Sequence, residues 1–184
     1  MRQAMTQATR KAARASGGRP VRAQNLHVTL AFLGSVREER LAELAEIARQ
    51  AAAARLGGEA LAFDRLEYWR AAQLLCALPA EPPAWTAELA RRLQDLLASR
   101  GFAPDLKPFR PHVTVVRKVA RPGRIAGMQP VRWTFTEIAL VESRTLAEGP
   151  VYSVIESFAL CSGDSERSET EDSRVKAANN TRTR

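Results

Sequence analysis

The residues best suited to chemistry are two copies of a His-x-Thr pattern, His27-Val28-Thr29-Leu30 and His112-Val113-Thr114-Val115, which contain the only two histidines of the 184-residue chain. Both copies predict β-strands, because β-branched and apolar residues predominate in them. Side chains alternate between the two faces of a strand, so each copy would present an imidazole and a hydroxyl on one face and apolar residues on the other. The chain is therefore predicted to supply half of an acid–base site twice.

Two imidazoles that face one cleft can share acid–base work near neutral pH, because the ordinary pKa of histidine is about 6.5. A neutral ring can take a proton from an attacking water, and a protonated ring can give one to a leaving oxygen. Each such transfer is typically worth about 10²- to 10⁴-fold in rate. The hydroxyls of Thr29 and Thr114 can donate hydrogen bonds to phosphate oxygens. This chemistry requires no metal and no other cofactor.

Other site chemistries find less support in the residues. A metal site is the competing interpretation of the histidines, but two histidines do not complete a ligand set, and the stretches around them contain no carboxylate. The sequence has no GxSxG nucleophile motif, and Cys76 and Cys161 lie in apolar, strand-like runs without CxxC spacing. We therefore expect no metal, and the cysteine usage favours a reducing cytoplasm.

Positive charge is concentrated around both histidine patterns. The formal net charge is +8, and residues 1–37 and 106–136 each hold seven Lys or Arg and no Asp or Glu. If these stretches converge, the cleft between them has a positive potential that suits phosphate or nucleic acid. Because no apolar run approaches the roughly 20 residues that cross a bilayer, we expect no membrane partner.

The elements that must position the two patterns follow in the order strand, helix, two strands, helix and further strands. A basic helix is predicted over residues 1–15, ending at Gly17-Gly18, before a first strand at 26–33. Ser35-Val36-Arg37-Glu38 is typical of a capping box that opens a helix running toward Arg55. The other expected elements are strands at 59–68 and 73–79, a helix from Pro82-Pro83 to Gly101, and strands at 131–143 and 150–160.

This order predicts an α+β fold with two duplicated lobes, each an antiparallel sheet with helices on its outer face, on either side of a central cleft. Residues 1–161 are expected to form one domain. Residues 162–184 contain one Val and no Leu, Ile or aromatic residue. Such a segment cannot bury enough surface to offset its ordering entropy, so it is predicted to be a disordered tail.

The runs from Asn25 to Gly34 and from Phe109 to Arg117 are similar to the two signature segments of the 2H phosphoesterases. They resemble in particular the RNA 2′,3′-cyclic phosphodiesterases once described as 2′-5′ RNA ligases, over about residues 16–160. The resemblance implies a bilobal fold with both patterns lining the cleft. It also implies metal-independent hydrolysis of RNA 2′,3′-cyclic phosphate ends, or of cyclic nucleotides, to 2′-phosphomonoesters. We expect the protein to be a monomer.

Carried over by motif position, the resemblance implies that His27 is the proton donor to the leaving 3′ oxygen and His112 the proton acceptor that activates water. Thr29, Thr114 and Arg117 would bind phosphate. Arg117 follows His112 by five residues, so on a regular strand its side chain would face away from the cleft.

The chain departs from the family pattern at its start. Family members usually begin with a short apolar strand, whereas this sequence begins with Met1-Arg2-Gln3-Ala4-Met5 and helix-like residues. The first lobe is therefore expected to lack one strand of its sheet. Two further functions stay open at this point: a non-catalytic RNA-binding module that uses only the basic cleft, and a phosphodiesterase for another small cyclic phosphate.

Overall fold

The computed structural model describes residues 1–54, 60–103, 108–121, 125, 127–146 and 149–161. The expected tail at 162–184 and the expected end of the second helix at Arg55 lie outside these residues. In the part of the chain that is described, no helix has both the length and the apolar character needed to cross a membrane.

The described residues combine α-helices with antiparallel sheets, which confirms the predicted α+β class. The helices are α1 (Arg2–Ala15), α2 (Leu41–Ala52) and α3 (Ala84–Ser99), with 3₁₀ turns at Ala23–Asn25 and Glu38–Arg40. The strands are β1 (Arg19–Pro20), β2 (Ala60–Phe63), β3 (Arg65–Trp69), β4 (Leu74–Leu78), β5 (Val113–Arg117), β6 (Val131–Thr134), β7 (Glu137–Leu146) and β8 (Gly149–Ala159).

The largest sheet has the strand order β1-β5-β4-β3, and each neighbouring pair is antiparallel. One face of this sheet is apolar and packs against α1 and the two-stranded β2-β6 sheet. Its contacts form the main core, in which the buried side chains include Met5, Leu75, Ala77, Val113 and Val116. Because Val113 and Val116 of β5 face this core, the opposite face of the sheet remains for polar residues such as Thr114.

The second layer is built on α2, which packs against α3 on one side and the β7-β8 hairpin on another. Apolar residues three and four positions apart give α2 two buried stripes. Leu44 and Ile47 contact Leu97 of α3, and small alanines, among them Ala48, receive Phe158 of β8.

Four predicted features differ from the observed ones, and two of them lie between residues 26 and 41. Residues 26–33, which are expected to form a strand, make only one bridge among the described residues, at Val28. The expected capping box does not form: a 3₁₀ turn occupies Glu38–Arg40, and α2 begins at Leu41 without a side-chain cap.

The long strands expected at 59–68 and 131–143 are each divided into two. The first divides at Asp64, whose carboxylate accepts a hydrogen bond from the backbone N–H of Ala80 at 2.8 Å. The second divides after Thr134, at the end of β6. The leading pieces, β2 and β6, pair with each other, while the trailing pieces, β3 and β7, join different sheets. An alternating pattern predicts a strand, but it does not predict which strand will pair with it or where that pairing stops.

Candidate active site

The two histidine patterns meet in space through their central valines. Val28 and Val113 form an isolated antiparallel bridge. Val113 is fully buried, and Val28 packs against the same core cluster. Because side chains alternate along extended backbone, the histidine and threonine of each pattern project away from that core. The backbone therefore places the two patterns side by side, as a shared site requires.

The bridge also sets the order of the four polar side chains. Antiparallel pairing of the central valines puts His27 beside Thr114 and Thr29 beside His112. The two histidines are then diagonal neighbours, whose Cα atoms in antiparallel pairs lie about 7–8 Å apart. Side chains at this separation can approach one phosphate-sized group from opposite sides, with a hydroxyl beside each ring.

Both imidazoles are held by the same local contact. Nδ1 of His27 lies 2.7 Å from the carbonyl oxygen of Asn25, and Nδ1 of His112 lies 2.8 Å from that of Arg110. A carbonyl oxygen can only accept, so in each ring Nδ1 carries the proton and donates it. Nε2 is consequently the nitrogen left for chemistry in both rings, as a lone pair when the ring is neutral and as a donor when it is charged.

The surroundings of the two rings differ. The indole of Trp69 covers His112, with ring centroids 4.4 Å apart and planes inclined by 52°. Burial lowers the pKa of His112 below its ordinary value, and the positive charges of His27 and Arg110 lower it further, against the opposing effect of the backbone hydrogen bond. His27 is exposed. The environment therefore favours a neutral His112.

Trp69 is itself fixed by an acidic partner. Its Nε1–H donates to Oε1 of Glu67 at 2.9 Å, and Nη2 of Arg110 donates to the other oxygen of the same carboxylate at 2.9 Å. The guanidinium carbon of Arg110 lies 5.7 Å from the Trp69 ring centroid, within the range of a cation–π contact. This network holds the indole against the His112 ring.

Tyr152 connects the other histidine to Arg117. Its ring meets His27 edge-on, with centroids 4.8 Å apart and an interplanar angle of 66°. The Tyr152 hydroxyl accepts a hydrogen bond from Nη2 of Arg117 at 3.2 Å. Arg117 is thereby brought to the same cleft as both histidines, through one intervening side chain.

The expectation that Arg117 faces away from the cleft is wrong, and a β-bulge is the reason. Along β4 and β5, Leu75 pairs with Val116 and Cys76 pairs with Thr114, so Val115 is an extra residue with no partner. One extra residue reverses the alternation beyond it. Val116 consequently points into the core, and Arg117 returns to the face that carries Thr114.

Thr114 lies above a buried thiol that sequence reasoning treats only as an apolar strand residue. Cys76 is fully buried, and its Sγ is 3.9 Å from Oγ1 of Thr114. Burial raises the pKa of Cys76 to about 11, which leaves it a thiol at neutral pH and a poor nucleophile. In the described residues, no three His, Cys, Asp or Glu side chains are grouped closely enough to hold a metal ion.

The structure therefore gathers all five residues selected from the sequence, namely His27, Thr29, His112, Thr114 and Arg117. The contacts missed by sequence reasoning are those of Trp69, Glu67 and Tyr152. The sequence does contain a signal for Trp69 and Glu67. Residues two apart on a strand share a face, so these two side chains are expected to lie next to each other on one side of the sheet. Nothing local in the sequence indicates which histidine either aromatic ring contacts.

Comparison with known proteins agrees with this geometry. The family model described as the 2′-5′ RNA ligase superfamily matches residues 3–146. The RNA 2′,3′-cyclic phosphodiesterase of Escherichia coli (strain K12) is 31% identical over 145 residues, which are 78% of this chain and 80% of that protein. The protein of the same name from Thermus thermophilus is 30% identical over 179 residues, covering 87% of this chain and 84% of the relative.

A solved structure supports the same grouping. The crystal structure of E. coli LigT complexed with 3′-AMP superposes with a TM-score of 0.76 at 29% identity, covering 86% of this chain and 90% of that one. The resemblance inferred from the two histidine patterns is confirmed by these matches. The chain belongs to the 2′-5′ RNA ligase superfamily.

Proposed function

We propose that the protein hydrolyses RNA 2′,3′-cyclic phosphate ends to 2′-phosphomonoesters, with His112 as the proton acceptor and His27 as the proton donor. The observation that carries this proposal is the bridge between Val28 and Val113, which brings the two histidine patterns side by side. Relatives from two bacteria named RNA 2′,3′-cyclic phosphodiesterase support the substrate class.

The division of labour follows from the surroundings of the rings. Burial under Trp69 lowers the pKa of His112 and keeps its Nε2 lone pair available near neutral pH. That nitrogen takes a proton from water as the oxygen of the water attacks phosphorus. The bond from phosphorus to O3′ then breaks, and Nε2–H of His27 gives its proton to the leaving O3′. The cycle ends with a protonated His112 and a neutral His27, which exchange protons with solvent.

The groups that bind the phosphate are separate from the two histidines and transfer no proton themselves. Thr29 and Thr114 each donate a hydroxyl hydrogen bond to a non-bridging oxygen, and Arg117 adds a positive charge as negative charge grows in the transition state. The Tyr152 hydroxyl orients the Arg117 guanidinium. The charge of Arg117 also attracts the polyanion.

The test is release of a 2′-phosphate from a 2′,3′-cyclic nucleotide in excess chelator, with the product phosphate located by NMR. His27→Gln and His112→Gln should each lower kcat by about 10²- to 10⁴-fold, and the parent should show a bell-shaped pH profile. Lys11→Gln, an exposed change on α1, is the control and should keep parental activity. Full turnover in either histidine variant contradicts the mechanism. Salt-dependent RNA binding without turnover by the parent would instead identify a binding module.

A further inference from the structure

The strand pair β1–β5 carries two arginines that sit directly opposite each other. Arg19 is the cross-strand partner of Arg117, and Pro20 is the partner of Val116. Directly opposed residues project from the same face of an antiparallel pair, with Cβ atoms about 4.5–5.5 Å apart. Because the bulge at Val115 turns Arg117 toward the cleft, Arg19 is on the cleft face too, one strand farther from the histidines.

The backbone around Arg19 is closely packed against β5. A Cβ atom at Gly18 would lie 2.6 Å from Cγ1 of Val116 and 2.8 Å from the carbonyl oxygen of Arg117. The carbonyl of Ser16 accepts hydrogen bonds from two N–H groups beyond β5, at 3.2 and 3.0 Å. Glycine therefore permits the close approach that places Arg19 at this edge.

Opposed like charges destabilise a strand pair unless something offsets them. In the described residues neither Arg19 nor Arg117 makes an ion pair, while exposed arginines elsewhere, such as Arg91 and Arg110, do. Arg117 donates instead to the neutral hydroxyl of Tyr152. Two guanidinium groups on one face, neither of which forms an ion pair with the described residues, suit a second anion beside the proposed phosphate site.

We propose that Arg19 binds the phosphodiester one nucleotide upstream of the cyclic phosphate, so that the site prefers an RNA strand to a cyclic mononucleotide. This inference rests on the proposed function. Arg117 contacts the terminal phosphate, and Arg19, its strand neighbour, contacts the next phosphate along the chain. Guanidinium groups suit this role because they remain charged and bind phosphate oxygens through two parallel N–H groups.

The experiment compares two dinucleotides that both end in a 2′,3′-cyclic phosphate. One has an ordinary internal phosphodiester, and the other has a neutral methylphosphonate at the same place. The ratio of kcat/KM for the charged over the neutral substrate isolates the contribution of the internal charge. Arg19→Gln should lower this ratio about fivefold to tenfold, the range of a charge-assisted contact near solvent.

The control is Arg14→Gln, an exposed change of the same kind at the end of α1, which should leave the ratio at the parental value. Arg19→Gln should also make kcat/KM for the charged dinucleotide less dependent on salt, because one charge–charge contact that salt screens has been removed. An unchanged ratio in Arg19→Gln, or an equal loss on both dinucleotides, overturns the assignment of Arg19.

Failure of the proposed function gives a different result. In that case the parent protein would not open a cyclic mononucleotide at all. The affinities of the two dinucleotides for the parent and for Arg19→Gln, measured by fluorescence anisotropy, then show whether Arg19 contacts the upstream phosphate. The same fivefold to tenfold fall in the affinity ratio supports the upstream phosphate contact, and an unchanged ratio refutes it.

Discussion

Removing the indole of Trp69 should move the acidic limb of the activity profile to higher pH. Burial is the largest cause of the lowered pKa of His112, and the Trp69 ring lies 4.4 Å from the His112 ring. In Trp69→Ala, water reaches the imidazole and its pKa rises toward the ordinary value. The charges of His27 and Arg110 remain and keep the rise incomplete. A base that must be neutral then loses activity at low pH, about tenfold for each pH unit below its pKa.

The same substitution has a stability cost that must be kept apart from the catalytic effect. A half-buried indole removes about 100–150 Å² of apolar surface from water, which is worth about 2.5–4 kcal/mol at roughly 25 cal/mol per Å². Trp69→Phe keeps a ring over His112 but loses the hydrogen bond from Nε1 to Glu67. It should therefore cost less stability, about 1–1.5 kcal/mol.

The assay is kcat/KM for a 2′,3′-cyclic nucleotide across pH 5–9, together with urea unfolding at each pH. Because the chain has only two histidines, an NMR titration of the imidazole protons reports both rings directly. Trp69→Ala should raise the limb, and Trp69→Phe should leave it near the parental position. A folded Trp69→Ala protein with an unmoved limb would refute the role of burial. An equal shift in both variants would assign the effect to the Glu67 contact instead.

Protein stability should respond to the same group. Folding lowers the pKa of His112, so the unfolded chain binds this proton more readily than the folded one. The free energy of unfolding should consequently fall as the pH decreases below the ordinary histidine value of about 6.5, and level off below the folded pKa. His112→Gln should reduce the steepness of this part of the curve.

The remaining predictions concern the supports of the site. Tyr152→Phe removes the acceptor of Arg117 and should lower kcat/KM by about fivefold to tenfold with less than about 1 kcal/mol lost in urea unfolding; unchanged kinetics would contradict the orienting contact. Gly18→Ala should destabilise the fold by about 1–3 kcal/mol because its Cβ meets β5, whereas Gly127→Ala, with open space around it, should change the unfolding midpoint little. Burial raises the pKa of Cys76 to about 11, so mass spectrometry at pH 8 should find this thiol unmodified by iodoacetamide until urea unfolds the protein; rapid native labelling would refute its burial.

The histidine pairs and the helices could be predicted because their signals are local. A period of two assigns His112 and Thr114 to one face, and a period near 3.6 assigns Leu44 and Ile47 to one side of α2. The position of Arg117 could not be predicted in this way. It depends on a bulge that exists only where β5 pairs with β4, and register between distant strands is set by packing rather than by neighbouring residues.

The contacts that distinguish the two histidines are also nonlocal. Trp69 reaches His112 across the sheet from β3, and Tyr152 reaches His27 from β8. In the sequence these aromatic residues lie 43 and 125 positions from the rings they contact. Their types suggest strands, but no spacing rule links them to a particular imidazole.

The opposite roles that we propose for two nearly identical patterns therefore have to come from their neighbours. Both rings use Nδ1 in the same backbone contact and leave Nε2 free, so the patterns by themselves give no reason for one to be the acid. The indole over His112 excludes water from that ring, while His27 is left exposed. The charge of His27 also lowers the pKa of His112, which adds to the effect of burial. In the proposed mechanism, desolvation of His112 by Trp69 therefore makes His112 the base and leaves the role of the acid to His27.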